Sequence, residues 1–176
     1  MDIKKLNIGF YSEGKYFIDS NDVVHSSDIF LTFFQKIFKD RKIYVIGRLC
    51  TKKFNPSHYL NDNWLLTPLT FYNSIFKLLL VFPLYILKNE KKINLFIENI
   101  DILFISPSGP LSVFILNKAK FKNKKVILFV RQDTRKLISI KNNYNFVAKI
   151  FANLIETYIE KFVENYANAT VFTFGG

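Results

Sequence analysis

Short apolar runs of strand length alternate with longer segments of helical period along most of this chain, and that alternation constrains its fold more than any other feature. The second half shows it best. Ile102–Ile105 is an apolar run long enough only for a buried strand, and the turn sequence Ser106-Pro107-Ser108-Gly109-Pro110 follows it. Residues 111–120 read as a helix, and Lys125–Val130 reads as another buried strand. The strongest helix is expected over residues 144–166, where Val147, Phe151, Leu154, Tyr158 and Phe162 form one apolar stripe. A final strand is expected over residues 169–174.

The first half follows the same rhythm. Residues 7–11 form a brief strand that ends in the turn composition Ser12-Glu13-Gly14, and residues 17–24 form a small hairpin or an ordered loop. Ser26, Ser27 and Asp28 have capping chemistry, and Ile29, Phe33, Phe34, Ile37 and Phe38 recur at helical spacing behind them. Residues 42–47 give a second strand, residues 51–63 a loop, and Trp64–Leu69 a third strand stopped by Pro68. A second helix over residues 70–87 is expected to kink at Pro83, because proline removes a backbone donor, with further turns over residues 91–99. Strands alternating with helices imply parallel pairing through right-handed crossovers. The expectation is a single α/β domain, a Rossmann-like three-layer α/β/α fold with a mainly parallel sheet.

At 176 residues the chain fits one domain, and 49% hydrophobic against 22% charged residues is enough to bury a sizeable core. Twenty Phe and nine Tyr make that core aromatic. The net charge of +11 favours anionic partners: nucleic acid, an anionic membrane surface or phosphorylated substrates. Cys50 stands alone, which excludes an internal disulfide and argues against a cysteine metal site. Residues 71–87 are membrane-like, but Lys77 and Pro83 interrupt them and they fall short of the ~20 residues a spanning helix needs. They read as a helix buried in protein or as one lying on a membrane surface. The amino terminus does not read as a signal peptide.

In open parallel sheets, ligands bind in the crevice beyond the carboxyl ends of the strands. That rule selects three loops. The first carries Ser12 and Gly14, where a glycine is either a plain turn residue or an opening for backbone amides to approach a ligand. Only Gly9 and Gly14 stand near it, so the spaced-glycine dinucleotide pattern is absent. The second carries Ser106, Ser108 and Gly109 ahead of a helix start, suited to hydroxyls or a phosphate, or else to a rigid capped turn. The third, Arg131-Gln132-Asp133-Thr134-Arg135, carries the most chemistry. Arg131 and Arg135 suit bidentate phosphate contacts, and Asp133 suits a sugar hydroxyl whose proton it can accept. An Arg–Asp pair that stabilises the loop is the bland alternative. Lys118, Lys120, Lys122, Lys124, Lys125 and Lys136 crowd the same region, relieved in sequence only by Asp133.

Other chemistries find no support. Glu156, Glu160 and Glu164 fall at helical spacing and read as one solvated polar stripe. His25 and His58 lack triad partners and metal-ligand spacing, and neither a Gly-x-Ser-x-Gly turn nor a Walker loop is present.

The order of elements, with residues 7–14, the run Ile100-Asp101-Ile102-Leu103-Phe104-Ile105, residues 124–133 and the closing Ala167-Asn168-Ala169-Thr170-Val171-Phe172-Thr173, resembles the N-terminal domain of GT-B glycosyltransferases of the family-4-like group. The resemblance implies an acceptor-side half that works with a donor-binding domain, in cis or trans, which carries the nucleotide sugar. It implies no cofactor for this domain, a glycan or lipid-linked sugar acceptor, and a cytoplasmic location with peripheral contact at the inner face of an anionic membrane. It places Ser12, Gly14, Ser106, Ser108, Gly109, Arg131 and Arg135 on the substrate cleft, with Asp133 catalytic and no metal. The chain departs from relatives in having one glycine after the first strand, and on this reading it is a fragment, a split gene product or a remnant. The alternative is a non-catalytic basic module for anionic membrane or nucleic acid. Nucleic acid is the less expected partner, because the aromatics recur at core spacing and not among the basic residues.

Overall fold

The computed structural model describes residues 6–51, 58–130 and 146–173. These form strands β1 (Ile8–Ile18), β2 (Val24–Ser26), β3 (Ile43–Leu49), β4 (His58–Tyr59), β5 (Trp64–Leu69), β6 (Ile102–Ile105), β7 (Lys125–Val130) and β8 (Ala169–Thr173). The helices are α1 (Ile29–Ile37), α2 (Ile75–Leu80), α3 (Phe82–Glu98), α4 (Pro110–Phe121) and α5 (Phe146–Asn165). Among the described residues this is an α/β architecture on one sheet of eight strands.

Six strands lie parallel in the order β5-β3-β1-β6-β7-β8. Chain order reverses at β1, so the loops after β1 and β6 diverge to opposite faces and open a crevice at the carboxyl edge. Strand residues alternate between the faces, as the pleat requires. Ile8, Phe10, Ile43, Val45 and Phe129 pack toward α1, while Leu103, Ile105, Val126 and Leu128 pack with α3, α4 and α5. This gives the three-layer α/β/α fold that the alternation implies.

Asp28 caps α1, its Oδ1 accepting from Phe30 N at 2.9 Å. Phe34 then inserts into a nest of rings on the sheet, with centroids 4.8 Å from Phe10 and 5.2 Å from both Phe104 and Phe129. The aromatic richness of the sequence thus fills the sheet face that α1 covers. On the other face Asn89, fully buried, accepts from Thr70 N at 3.0 Å and donates to Tyr85 O at 2.8 Å. It ties the end of β5 to α3.

Several elements differ from their expected form. β1 does not stop at Tyr11: it continues to Ile18, and its register against β3 slips between Tyr11 and Lys15. Ser12-Glu13-Gly14 is therefore a bulge inside a strand, which pays no turn and re-aims its side chains. The distal half pairs with β2 across a hairpin whose Asp22 holds φ 61. The expected loop over residues 51–63 contains β4, which pairs with β2. Pro68 lies within β5; β3 is the partner it has among the described residues, so the missing donor can face the open edge.

Residues 70–73 are not helical, Ser74 caps α2, and Pro83 opens α3 instead of kinking a longer helix. The predicted α5 stripe holds at Phe162, which is 4% exposed, but Leu154 is 60% exposed. Glu156 is buried at 8%, whereas Glu160 and Glu164 face solvent, so the three glutamates do not share one polar stripe. Positions eight apart drift by about 80° around a helix, enough to carry one end of such a stripe into the core. No helix among the described residues is long and apolar enough to cross a membrane.

Candidate functional site

The crevice at the reversal of strand order is built from the carboxyl ends of four strands. The chain after β6 approaches the β1 bulge directly, with Ser106 N donating to Tyr11 O at 3.1 Å. Glu13, pushed out by the bulge, points toward Gly109 at the start of α4. A Cβ on Gly109 would stand 3.2 Å from Glu13 Oε1, so glycine there leaves the carboxylate its space.

Glu13 is the hub of the polar cluster. Its Oε1 accepts from the Tyr11 hydroxyl at 2.7 Å, and its Oε2 accepts from the Tyr72 hydroxyl. Arg48, near the end of β3, donates from Nη2 to Glu13 O at 2.9 Å and from Nη1 to Tyr72 O at 3.1 Å. Its guanidinium lies over the Tyr72 ring, 4.5 Å from the centroid, so a cation–π contact adds to the two hydrogen bonds. The Arg48 Nε is buried and has no hydrogen-bond partner among the described residues. Tyr85, beside Tyr72, donates to Thr70 O at 2.9 Å. A carboxylate, a guanidinium and phenol hydroxyls in one crevice can exchange hydrogen bonds with a hydroxyl-bearing ligand.

Burial, and after it the Glu13 charge, hold the Tyr11, Tyr72 and Tyr85 hydroxyls well above their ordinary value of 10.0. Burial, then Asp28, does the same for Tyr16. The folded state keeps these protons where the unfolded chain releases them. Stability from this source is complete below about pH 10 and falls as pH rises further, since the unfolded chain then binds fewer protons. Melting temperature should therefore hold level up to about pH 9.5 and drop beyond it, with a shallower drop in Tyr72→Phe. An equal slope in the two proteins would remove Tyr72 from the effect.

Two of the three expected loops meet here. Ser12 is 3% exposed and its Oγ accepts from Gly14 N at 3.4 Å, inside the bulge. Gly14 makes room for Asp28, whose Cβ would lie 2.9 Å from a Cβ at this position. Ser106 is half-buried and Ser108 exposed at the mouth. The amides of Ser108 and Gly109 both donate to Ser112 Oγ, at 3.2 and 3.1 Å, so a buried serine already occupies the donors that an incoming anion would use. Arg131, Asp133 and Arg135 lie outside the described residues.

Sequence patterning does not single out Glu13, Arg48 or Tyr72. Glu13 had a readable signal, an acid in the segment after the first strand, whereas Arg48 and Tyr72 reach it from 35 and 59 residues away. The basic run is also relieved in space. Lys118 pairs with Glu90 at 2.7 Å and Lys122 with Glu98 at 3.0 Å, partners on α3 that sequence proximity did not reveal. His25 pairs with Asp19 at 2.8 Å and His58 Nδ1 meets Thr32 Oγ1 at 3.0 Å, away from the crevice. No group of three or more metal-ligating side chains occurs among the described residues.

Compared with known proteins, the chain matches no family model and no curated protein.

Proposed function

We propose that this domain is the acceptor-binding half of a glycosyltransferase, taking a glycan or lipid-linked sugar in the crevice while a partner domain supplies the nucleotide sugar. The observation that carries the reading is the placement of the Glu13 carboxylate, with Tyr11, Tyr72 and Arg48 around it, where the strand order reverses. Crevices of this kind bind ligands across the folds that contain them. Carboxylates that accept from sugar hydroxyls, flanked by aromatic rings and an arginine, are suited to polyols. In this reading Glu13 orients the acceptor and Tyr72 gives up its hydrogen bond to the incoming hydroxyl. Asp133 takes the acceptor proton, and Arg131 and Arg135 hold the phosphates of a lipid-linked acceptor or donor. The broader role is the assembly of a surface polysaccharide.

The test is a titration of the 176-residue chain with mono- and oligosaccharides and a prenyl-phosphate-linked sugar, followed by saturation-transfer NMR. Wild type should bind one of these saturably, and Glu13→Gln should weaken that binding at least tenfold, about 1.4 kcal/mol, by exchanging an ionic acceptor for an amide. Glu164→Gln, on the exposed face of α5, should leave it unchanged. Equal binding by wild type and Glu13→Gln, or no sugar binding at all, would sink the reading.

A further inference from the structure

We propose that the elbow between α2 and α3 docks on the surface of an anionic lipid bilayer. The two helices meet at Val81, and the side chains around the bend face solvent although they are aliphatic. Leu80 is 85% exposed, Leu84 69% and Leu87 71%, with Val81 at 47% beside them. Leu84, Leu87, Lys88, Lys91 and Leu95 recur at helical spacing along the outer face of α3, opposite the buried Tyr85, Asn89, Ile93 and Phe96. A ridge of exposed leucines this continuous is not the scatter of single apolar residues that ordinary surfaces carry.

Charge selects the occupant. The sequence holds no Asp or Glu between Asp62 and Glu90, while Lys77 and Lys88 flank the ridge. The nearest acids are already answered: Glu90 by Lys118 at 2.7 Å and Glu98 by Lys122 at 3.0 Å. Leucines at the tip with lysines at the flanks match a bilayer whose acyl boundary takes the apolar tip and whose anionic headgroups take the ammoniums. A nucleic acid would use the lysines and leave the leucines in water. A second copy of this chain would meet the same lysines across the contact, like charge against like.

The ridge also borders a cleft of about 520 Å³ whose walls include Phe71, Tyr72, Leu84 and Tyr85. Because the Tyr72 hydroxyl reaches Glu13, docking sets the polar crevice close to the headgroup layer. Bilayer docking stands on the elbow alone and does not depend on sugar transfer.

The experiment is co-sedimentation of the full chain with vesicles of phosphatidylcholine alone and of phosphatidylcholine containing phosphatidylglycerol. Wild type should partition onto the anionic vesicles, and Leu84→Glu/Leu87→Glu should lower the partition coefficient at least tenfold with an unchanged circular dichroism spectrum. Leu84→Trp supplies a second readout free of added charge. Trp64, the chain's one native tryptophan, is 4% exposed, so a blue shift of emission on anionic vesicles would report the new indole entering the interface. Absence of that shift, or equal partition by wild type and the glutamate variant, would overturn the proposal. So would dimerisation abolished by the glutamates, or binding of a single-stranded oligonucleotide, in a chain that ignores vesicles.

Discussion

Phe34→Ala is expected to lower the unfolding free energy by about 4 kcal/mol, within the usual range for deleting a buried phenylalanine. Phe34 is 2% exposed and stands at the centre of the ring nest between α1 and the sheet. Its ring meets Phe104 and Phe129 edge-on, at 74° and 88°, and stacks on Phe38 at 15°. Truncation therefore removes transfer energy, leaves a cavity walled by rings that cannot collapse into it, and forfeits the edge-to-face contacts. A domain of this size carries about 5–15 kcal/mol in total, so the variant should sit near the edge of folding. Urea unfolding followed by circular dichroism would show the midpoint falling with the slope preserved. Phe33→Ala is the control: at 44% exposure it should cost far less. A loss at Phe34 no larger than at Phe33 would mean that the nest is not the anchor of α1.

Gly47→Val should cost about 3 kcal/mol, for the opposite reason, overpacking. Gly47 lies in β3 under the ring of the fully buried Tyr16, and a Cβ there would come within 2.2 Å of Tyr16 Cε2 and 2.6 Å of Cδ2. The ring cannot step aside without moving the distal half of β1, which holds the hairpin and the bulge that presents Glu13. Stability and any ligand binding should consequently fall together. The clash predicts a coupling: Tyr16→Leu, destabilising alone, should recover part of the loss when combined with Gly47→Val. Simple additivity in that double-mutant cycle would show that the ring and the glycine do not meet.

How much of this could be read from the chain differs by element. β6, β7, α1 and the start of β8 were legible because each signal is local: an apolar run bounded by turn residues, or a capping aspartate ahead of periodic phenylalanines. The bulge in β1 was not legible, because Ser12-Glu13-Gly14 has turn composition. What keeps the strand going is β3 on one edge and β2 on the other, and both are pairings with distant residues. Pro83 failed as a kink for a related reason. Proline is tolerated in the first turn of a helix, and only the break at Val81 makes its position the first turn.

The site divides in the same way. The strand-end rule led to Ser12, Gly14, Ser106, Ser108 and Gly109, and the structure gathers these loops on one crevice. It also shows Ser112 filling the amides at the head of α4 and makes Glu13 the hub in its place. The sequence by itself determined the layers, since alternating strand and helix periods admit few arrangements other than a parallel sheet between helices. Only the tertiary structure decided which side chains share the crevice. Arg48 and Tyr72 reach Glu13 because β3 ends beside β1 and β5 ends beside β3, and strand order is set by long-range packing that no local pattern encodes.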